Sequence, residues 1–159
     1  PGLRALPTGN KGMSNEPSPE EVFRALHAST GGLLFTVTVL DRAAGLARRV
    51  YTSHPETYPV SGTKPIQHNE WTQQVIDNAE VFVANTVEEF AIYFADHALI
   101  QSLGCEAAIN IPVANGDVVG TVNILDRAHH FDVQSVRACV AEVRMRHLDL
   151  LQAFAAHDL

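Results

Sequence analysis

Arg49, Tyr51 and Ser53 alternate along one segment, and Lys64 follows in a stretch rich in proline and glycine. Residues two apart on a strand share a face, so the first three would gather a guanidinium and two hydroxyls. With the Lys64 ammonium nearby, such a set can hold an anion such as a carboxylate, and Arg49 offers a planar fork. An edge strand that carries charge to resist aggregation would show the same alternation. A second set consists of Asn110, Thr121 and Asn123, together with Thr36 and Thr38, all small polar residues within apolar segments. Burying such groups dry is costly, so a covering segment, water or a ligand must satisfy them. Trp71, Tyr58, Phe90 and Phe94 can supply the apolar wall that a concave site needs. A strand face that simply meets solvent would also carry Asn and Thr.

Other reactive groups point less clearly to chemistry. The histidines are His27, His54, His68, His97, His129, His130, His147 and His157. No pair combines the spacing of a helical zinc site with a third ligand nearby, so no metal site is expected. Asp96 and His97 are adjacent, but neighbouring helix positions point about 100° apart and do not form a dyad. His97 is kept as a candidate for the pocket. Cys105 has no neighbouring cation to lower its pKa, and a free cysteine commonly serves as a small buried hydrophobe.

These residues must be positioned by the elements around them. Ser18-Pro19-Glu20-Glu21 predicts a capped helix start, with Val22, Phe23 and Leu26 on one face and Gly31-Gly32 at its end. Residues 33–40 and 46–53 read as an antiparallel hairpin, with Phe35, Val37 and Val39 opposite Thr36 and Thr38. Residues 54–69 hold prolines and glycine without periodicity, a long loop of the kind that is usually functional or disordered. A short helix capped by Asn69 follows, with Trp71, Val75 and Ile76 turned inward. Residues 81–84 suggest a short strand. Thr86 and Glu89 suggest a capping box, opening one helix that carries Val87, Phe90, Phe94 and Ala98 as far as Gly104.

Asn115-Gly116 between two alternating segments is a strong hairpin signal. A two-residue turn there would pair Ala114 with Asp117 and set the register by counting. One face then carries Val113, Ile111, Ile109, Ala107, Val118, Gly120, Val122 and Ile124, and is apolar. Gly120 would let a helix approach closely. The other face carries Asn110 opposite Thr121 and Ala108 opposite Asn123. The apolar face should bear the first and last helices, and the excursion over 54–104 should cover the polar one. A final helix from about 133 to 154, capped by Asp132, places Val133, Val136, Val140, Val143, His147, Leu150 and Phe154 at heptad spacing. That seam suggests a homodimer through the terminal helices, although a helix lying on its own sheet can show the same spacing.

Composition bounds the function. The chain has 159 residues, enough for one domain with a sizeable core. Lys and Arg number 11 against 18 Asp and Glu, and no basic stripe appears, which argues against nucleic-acid partners. The longest apolar run falls short of the ~20 residues a membrane span needs. Two cysteines make no disulfide framework, and a reducing, cytoplasmic setting is expected. Residues 1–17 read as a disordered leader or expression-derived extension, with Met13 a candidate natural start, and 18–157 as one domain.

The stretch Leu103-Gly104-Cys105-Glu106-Ala107-Ala108-Ile109-Asn110-Ile111-Pro112-Val113, then Gly116 and Val119-Gly120-Thr121-Val122-Asn123-Ile124-Leu125, resembles a GAF domain. Arg49 to Ser53, Tyr58-Pro59, Gly62 to Pro65 and Trp71 resemble a subgroup of small bacterial GAF proteins. The resemblance implies an α+β, GAF/PAS-like fold. A central antiparallel sheet of five or six strands would carry the N- and C-terminal helices on one face and a covered small-molecule pocket on the other. The sequence lacks the Asn-Lys-Phe…Asp-Glu type of motif of cyclic-nucleotide-binding relatives. Cys105, at a strand start, is a poor bilin attachment point. The related free methionine-(R)-sulfoxide reductases use several pocket cysteines, whereas here Cys139 belongs to the last helix.

The expected function is therefore a sensory or regulatory domain that binds an unidentified small molecule, with no cofactor and no catalysis of its own. Arg49, Tyr51, Ser53, Tyr58, Lys64, Trp71, Phe94, His97, Asn110, Thr121 and Asn123 are the candidate ligand-binding residues. One alternative is a small redox enzyme of the methionine sulfoxide reductase type using Cys105. The other is a structural dimerisation module whose pocket is filled by its own side chains.

Overall fold

A computed structural model describes residues 16–157, so positions 1–15 of the expected leader over 1–17 lie outside the described residues. Helix α1 (Pro19–Thr30) begins at the expected capping box: the Ser18 hydroxyl accepts from the Glu21 amide, and the Glu21 carboxylate accepts from the Ser18 amide. Its C-cap is Gly31, at φ 72°, a conformation that a Cβ would strain. Strands β1 (Leu34–Asp41) and β2 (Leu46–Thr52) form the first hairpin, and the two-residue β3 (Lys64–Pro65) pairs with β2. The excursion continues with α2 (Glu70–Thr72), a π-helical segment (Gln73–Asp77), β4 (Phe82–Ala84), α3 (Val87–Ala91) and α4 (His97–Ser102). The long hairpin of β5 (Ala107–Asn115) and β6 (Asp117–Asp126) follows, then α5 (Val133–Met145) and α6 (His147–Ala155). One six-stranded antiparallel sheet results, ordered β3-β2-β1-β6-β5-β4.

The β5–β6 register differs from the counted one. Asn115 pairs with Asp117, so Gly116 alone turns the chain, and an irregularity beside Val113 adds a further step. Beyond it Val113 faces Gly120, Ile109 faces Ile124, and Asn110 faces Asn123. The expected pairs Asn110–Thr121 and Ala108–Asn123 are thus corrected by two residues. A shift of two leaves every side chain on its own face, because the strand period is two. The face assignment survives for that reason: Phe35, Val37, Ile109, Ile111, Val122 and Ile124 form one core with α1, α5 and α6. Gly120 lies under α6. A Cβ built there would come within 2.7 Å of the Phe154 ring and 2.6 Å of the Thr38 carbonyl oxygen.

Two expected helices are broken. The helix foreseen from Thr86 to Gly104 divides into α3 and α4 around a turn at residues 92–96. The Thr86 hydroxyl donates to the Glu89 carboxylate at 3.1 Å and accepts no amide, so the capping box is incomplete. The terminal helix is interrupted at Arg146 (φ −103°, ψ 18°), which separates α5 from α6. Val143, Leu150 and Phe154 of the heptad seam are buried in this chain's own core, and Val136 and Val140 pack against it. The seam is therefore an intramolecular contact, the one-sided packing that an amphipathic helix makes on a sheet. Among its residues Val133 is exposed. No helix of the described residues is long and apolar enough to cross a membrane.

Candidate functional site

The polar face of the sheet and the excursion that covers it border a half-open cavity of about 290 Å³. Two rows of side chains cross its floor. Thr36, Asn123 and Asn110 are paired in one, and Arg49, Thr38 and Thr121 in the next. The Trp71 indole Nε1 donates to Asn110 Oδ1 at 3.0 Å, and Asn110 Nδ2 donates to Asn123 Oδ1 at 2.8 Å. Asn123 Nδ2 then donates to the hydroxyls of Thr36 at 3.2 Å and Thr38 at 3.3 Å. An indole N–H can only donate, so it fixes which end of Asn110 faces it. That polarity passes through Asn123 to the two threonines. The Asn69 side chain caps α2 by accepting from the Thr72 amide at 2.9 Å, which holds Trp71 over the floor.

A second group ties the cover to the sheet. The Arg49 guanidinium lies 3.8 Å above the centre of the Tyr58 ring, and its Nη1 donates to the Pro59 carbonyl at 2.8 Å. Its Nη2 stands 3.6 Å from Asp96 Oδ2, the atom that also accepts the Tyr58 hydroxyl at 3.1 Å. This clasp joins β2, the loop over 54–63 and the turn between α3 and α4. Burial pushes the Tyr58 phenol up to about 12, Arg49 opposes the shift, and Asp96 adds to it. Phe94 meets Trp71 edge-on at 6.2 Å, and Ile76, Ile100 and Leu125 complete the apolar lining.

Solved structures share this fold. A structure of a GAF domain/HD domain protein from Geobacter sulfurreducens matches 87% of this chain and 96% of its own length, with TM-score 0.66 and 10% identity. The GAF domain of a two-component sensor histidine kinase from Bacillus halodurans matches 86% and 93%, with TM-score 0.65 and 9% identity. This chain has the GAF fold. A third match is the GAF domain of a phosphoenolpyruvate-protein phosphotransferase from Coxiella burnetii, covering 92% of this chain and 90% of that one, with TM-score 0.64 and 16% identity. No protein-family model matches the sequence, and no curated protein matches it either.

Within this GAF fold, eight of the expected site residues line the cavity: Arg49, Tyr58, Lys64, Trp71, Phe94, Asn110, Thr121 and Asn123. Three do not. A bulge in β2 pairs Val37 with Tyr51 and Thr38 with Arg49, so Val50 is the extra residue. A bulge breaks the two-residue alternation. Arg49 keeps the cavity face, while Tyr51 turns to the helix side against Phe23 and Phe35. Ser53 is bound to β1, where its hydroxyl accepts from the Phe35 amide at 2.9 Å. His97 opens α4 with its Nδ1 2.9 Å from the Phe94 carbonyl and stands outside the lining. Its neighbour Asp96 is the one that reaches the cavity. No glycine or proline lies between Val87 and Leu103 to mark the break that brings Asp96 there.

Cys105 packs with Leu34, Phe90 and Ile100 in a second buried cluster, outside the lining. Burial and Asp126 push its thiol up to about 11, so it is a thiol and not a thiolate at neutral pH. Among the described residues, no three His, Cys, Asp or Glu side chains come together as a metal-ligand group.

Proposed function

We propose that this GAF-fold chain is a small-molecule-binding sensory or regulatory domain. One observation carries the reading: the excursion lies over the polar face of the sheet, yet leaves a half-open cavity of about 290 Å³ between them. A few oriented polar groups inside an apolar lining are what a recognition site needs. That space weighs against a module whose pocket is packed with its own side chains. The buried thiol of Cys105, away from the cavity, weighs against the redox reading. The Bacillus halodurans domain of the same fold belongs to a sensor histidine kinase, a signalling setting that the reading extends to this chain.

In this reading the Arg49–Tyr58–Asp96 clasp holds the 54–70 loop over the ligand, and occupancy favours the closed loop because a ligand shifts only states it binds differently. Two copies pair through the terminal helices, using the exposed Met145 and Leu148 on either side of the Arg146 break. Sedimentation that finds a single-chain mass at high concentration removes this pairing. Two buried free thiols suit a reducing, cytoplasmic compartment. The central test is a thermal-shift screen of small metabolites, since a bound ligand stabilises by RT ln(1 + [L]/Kd). The expected hit raises the unfolding temperature of the wild type and loses that effect in Trp71→Ala. A broad screen without any such compound overturns the reading.

A further inference from the structure

Hydrogen-bond accounting on the cavity floor leaves an imbalance. Trp71 is donor-only, and the chain it starts spends acceptors at each step: Asn110 Oδ1, Asn123 Oδ1, then the hydroxyl oxygens of Thr36 and Thr38. Each threonine oxygen that accepts still has its own hydrogen to give. Thr121 stands directly opposite Thr38 and is 2% exposed, and its hydroxyl has no protein partner among the described residues. The floor therefore offers paired O–H donors at Thr38 and Thr121, while its amide oxygens are already engaged.

Charge points the same way. Arg49, Lys64 and Asp96 are the charged residues of the lining, in a chain whose formal net charge is −7. Arg49 is occupied by Pro59, Tyr58 and Asp96. The Lys64 side chain has no hydrogen bond or ion pair among the described residues. It sits opposite Ala47 on β3, and Ala47 is opposite Leu40 on β1. Two strand spacings, roughly 10 Å, thus separate the Lys64 backbone from β1, and Lys64 lines the cavity from that edge of the sheet. Lys64 lies on the β3 edge of the sheet and the Thr38 and Thr121 hydroxyls on its central strands, while Trp71 bonds to Asn110 on β5, toward the opposite edge.

We propose that the cavity takes a small monocarboxylate. Its head is held by the Thr38 and Thr121 hydroxyls beneath Lys64, and its planar or branched apolar body rests against Trp71 and Phe94. This inference rests on the ligand-binding reading above and names the ligand class. It also reassigns the anion contact from Arg49, which the clasp consumes, to Lys64. The cavity is at the lower limit of drug-sized sites, so the body is one ring or a short branched chain.

The test is calorimetric titration of the full chain with benzoate and phenylacetate, each matched by its neutral amide, benzamide and phenylacetamide. The expected result is saturable binding of a carboxylate at least about tenfold tighter than its amide. Lys64→Gln and Thr121→Val should each weaken carboxylate binding by about tenfold while leaving the unfolding temperature unchanged, since neither residue has a partner to lose. Amides that bind as well as the acids, or variants that keep full affinity, overturn the carboxylate assignment and leave the ligand-binding reading standing. Binding by neither series also overturns the assignment. The ligand-binding reading then stands or falls separately on the thermal-shift screen.

Discussion

The two faces of the sheet are built from alternate residues of the same strands and are held by different physics. On the helix side, Phe35, Ile109, Ile124, Leu150 and Phe154 fill the space so closely that Gly120 has no room for a methyl group. Dispersion and burial act there, and they are indifferent to direction. On the cavity side, Trp71, Asn110, Asn123, Thr36 and Thr38 form a directed chain of hydrogen bonds beside unfilled volume. The packed face supplies stability, and in the proposed reading the directed face supplies recognition at a small cost in packing. Substitutions on the first should be read mainly in unfolding, and those on the second increasingly in binding.

The largest expected effect is on the packed face. Phe154→Ala removes a buried ring and should cost about 3–5 kcal/mol in denaturant unfolding. A loss below about 1 kcal/mol would mean that α6 does not seal the core. Next comes Asn123→Ala, which strands the Asn110 amide donor and should cost about 1–3 kcal/mol by the same measurement. If it matches Phe154→Ala, the division between the faces fails. Tyr58→Phe should cost about 1 kcal/mol at neutral pH by removing the bond to Asp96.

Tyr58 also sharpens the contrast through pH. The unfolded phenol ionises near 10.0 and the folded one near about 12, so between these values the unfolded state releases its proton first. Stability from this group is full below pH 10 and falls as pH rises through that window. Alkaline unfolding curves should drop more steeply there for wild type than for Tyr58→Phe. Parallel curves would remove Tyr58 from the buried clasp. The smallest effect on unfolding is expected for Thr121→Val, within about 0.5 kcal/mol of wild type, because its hydroxyl has no protein partner to lose.

Much of this contrast is legible in the sequence, for a reason of parity. The β5–β6 register counted from Asn115-Gly116 is off by two residues, yet the face of Asn110, Thr121 and Asn123 comes out right, because an even slip conserves faces. The same logic fails in β2, where one extra residue at Val50 sends Tyr51 to the opposite side from the one simple alternation gives. A bulge leaves no reliable mark in a run such as Arg48-Arg49-Val50-Tyr51. Asp96 was hidden differently. The spacing of Val87, Phe90, Phe94 and Ala98 suits one helix, yet the chain turns at residues 92–96 with no local breaker to mark it. The capped α1 was readable because local chemistry alone decides it, and the close approach over Gly120 because a missing side chain in the middle of an apolar face marks where another element can come near.

Two faces with separate duties can be distinguished in one spectrum. Titrating benzoate into ¹⁵N-labelled protein should produce saturable shifts in the Trp71 indole N–H and in the side-chain amides of Asn110 and Asn123, while Leu150, Ala153 and Phe154 amides stay still. Saturable shifts confined to the α5–α6 side would contradict an account in which the polar face is the receptive one, and shifts found nowhere would overturn the carboxylate assignment.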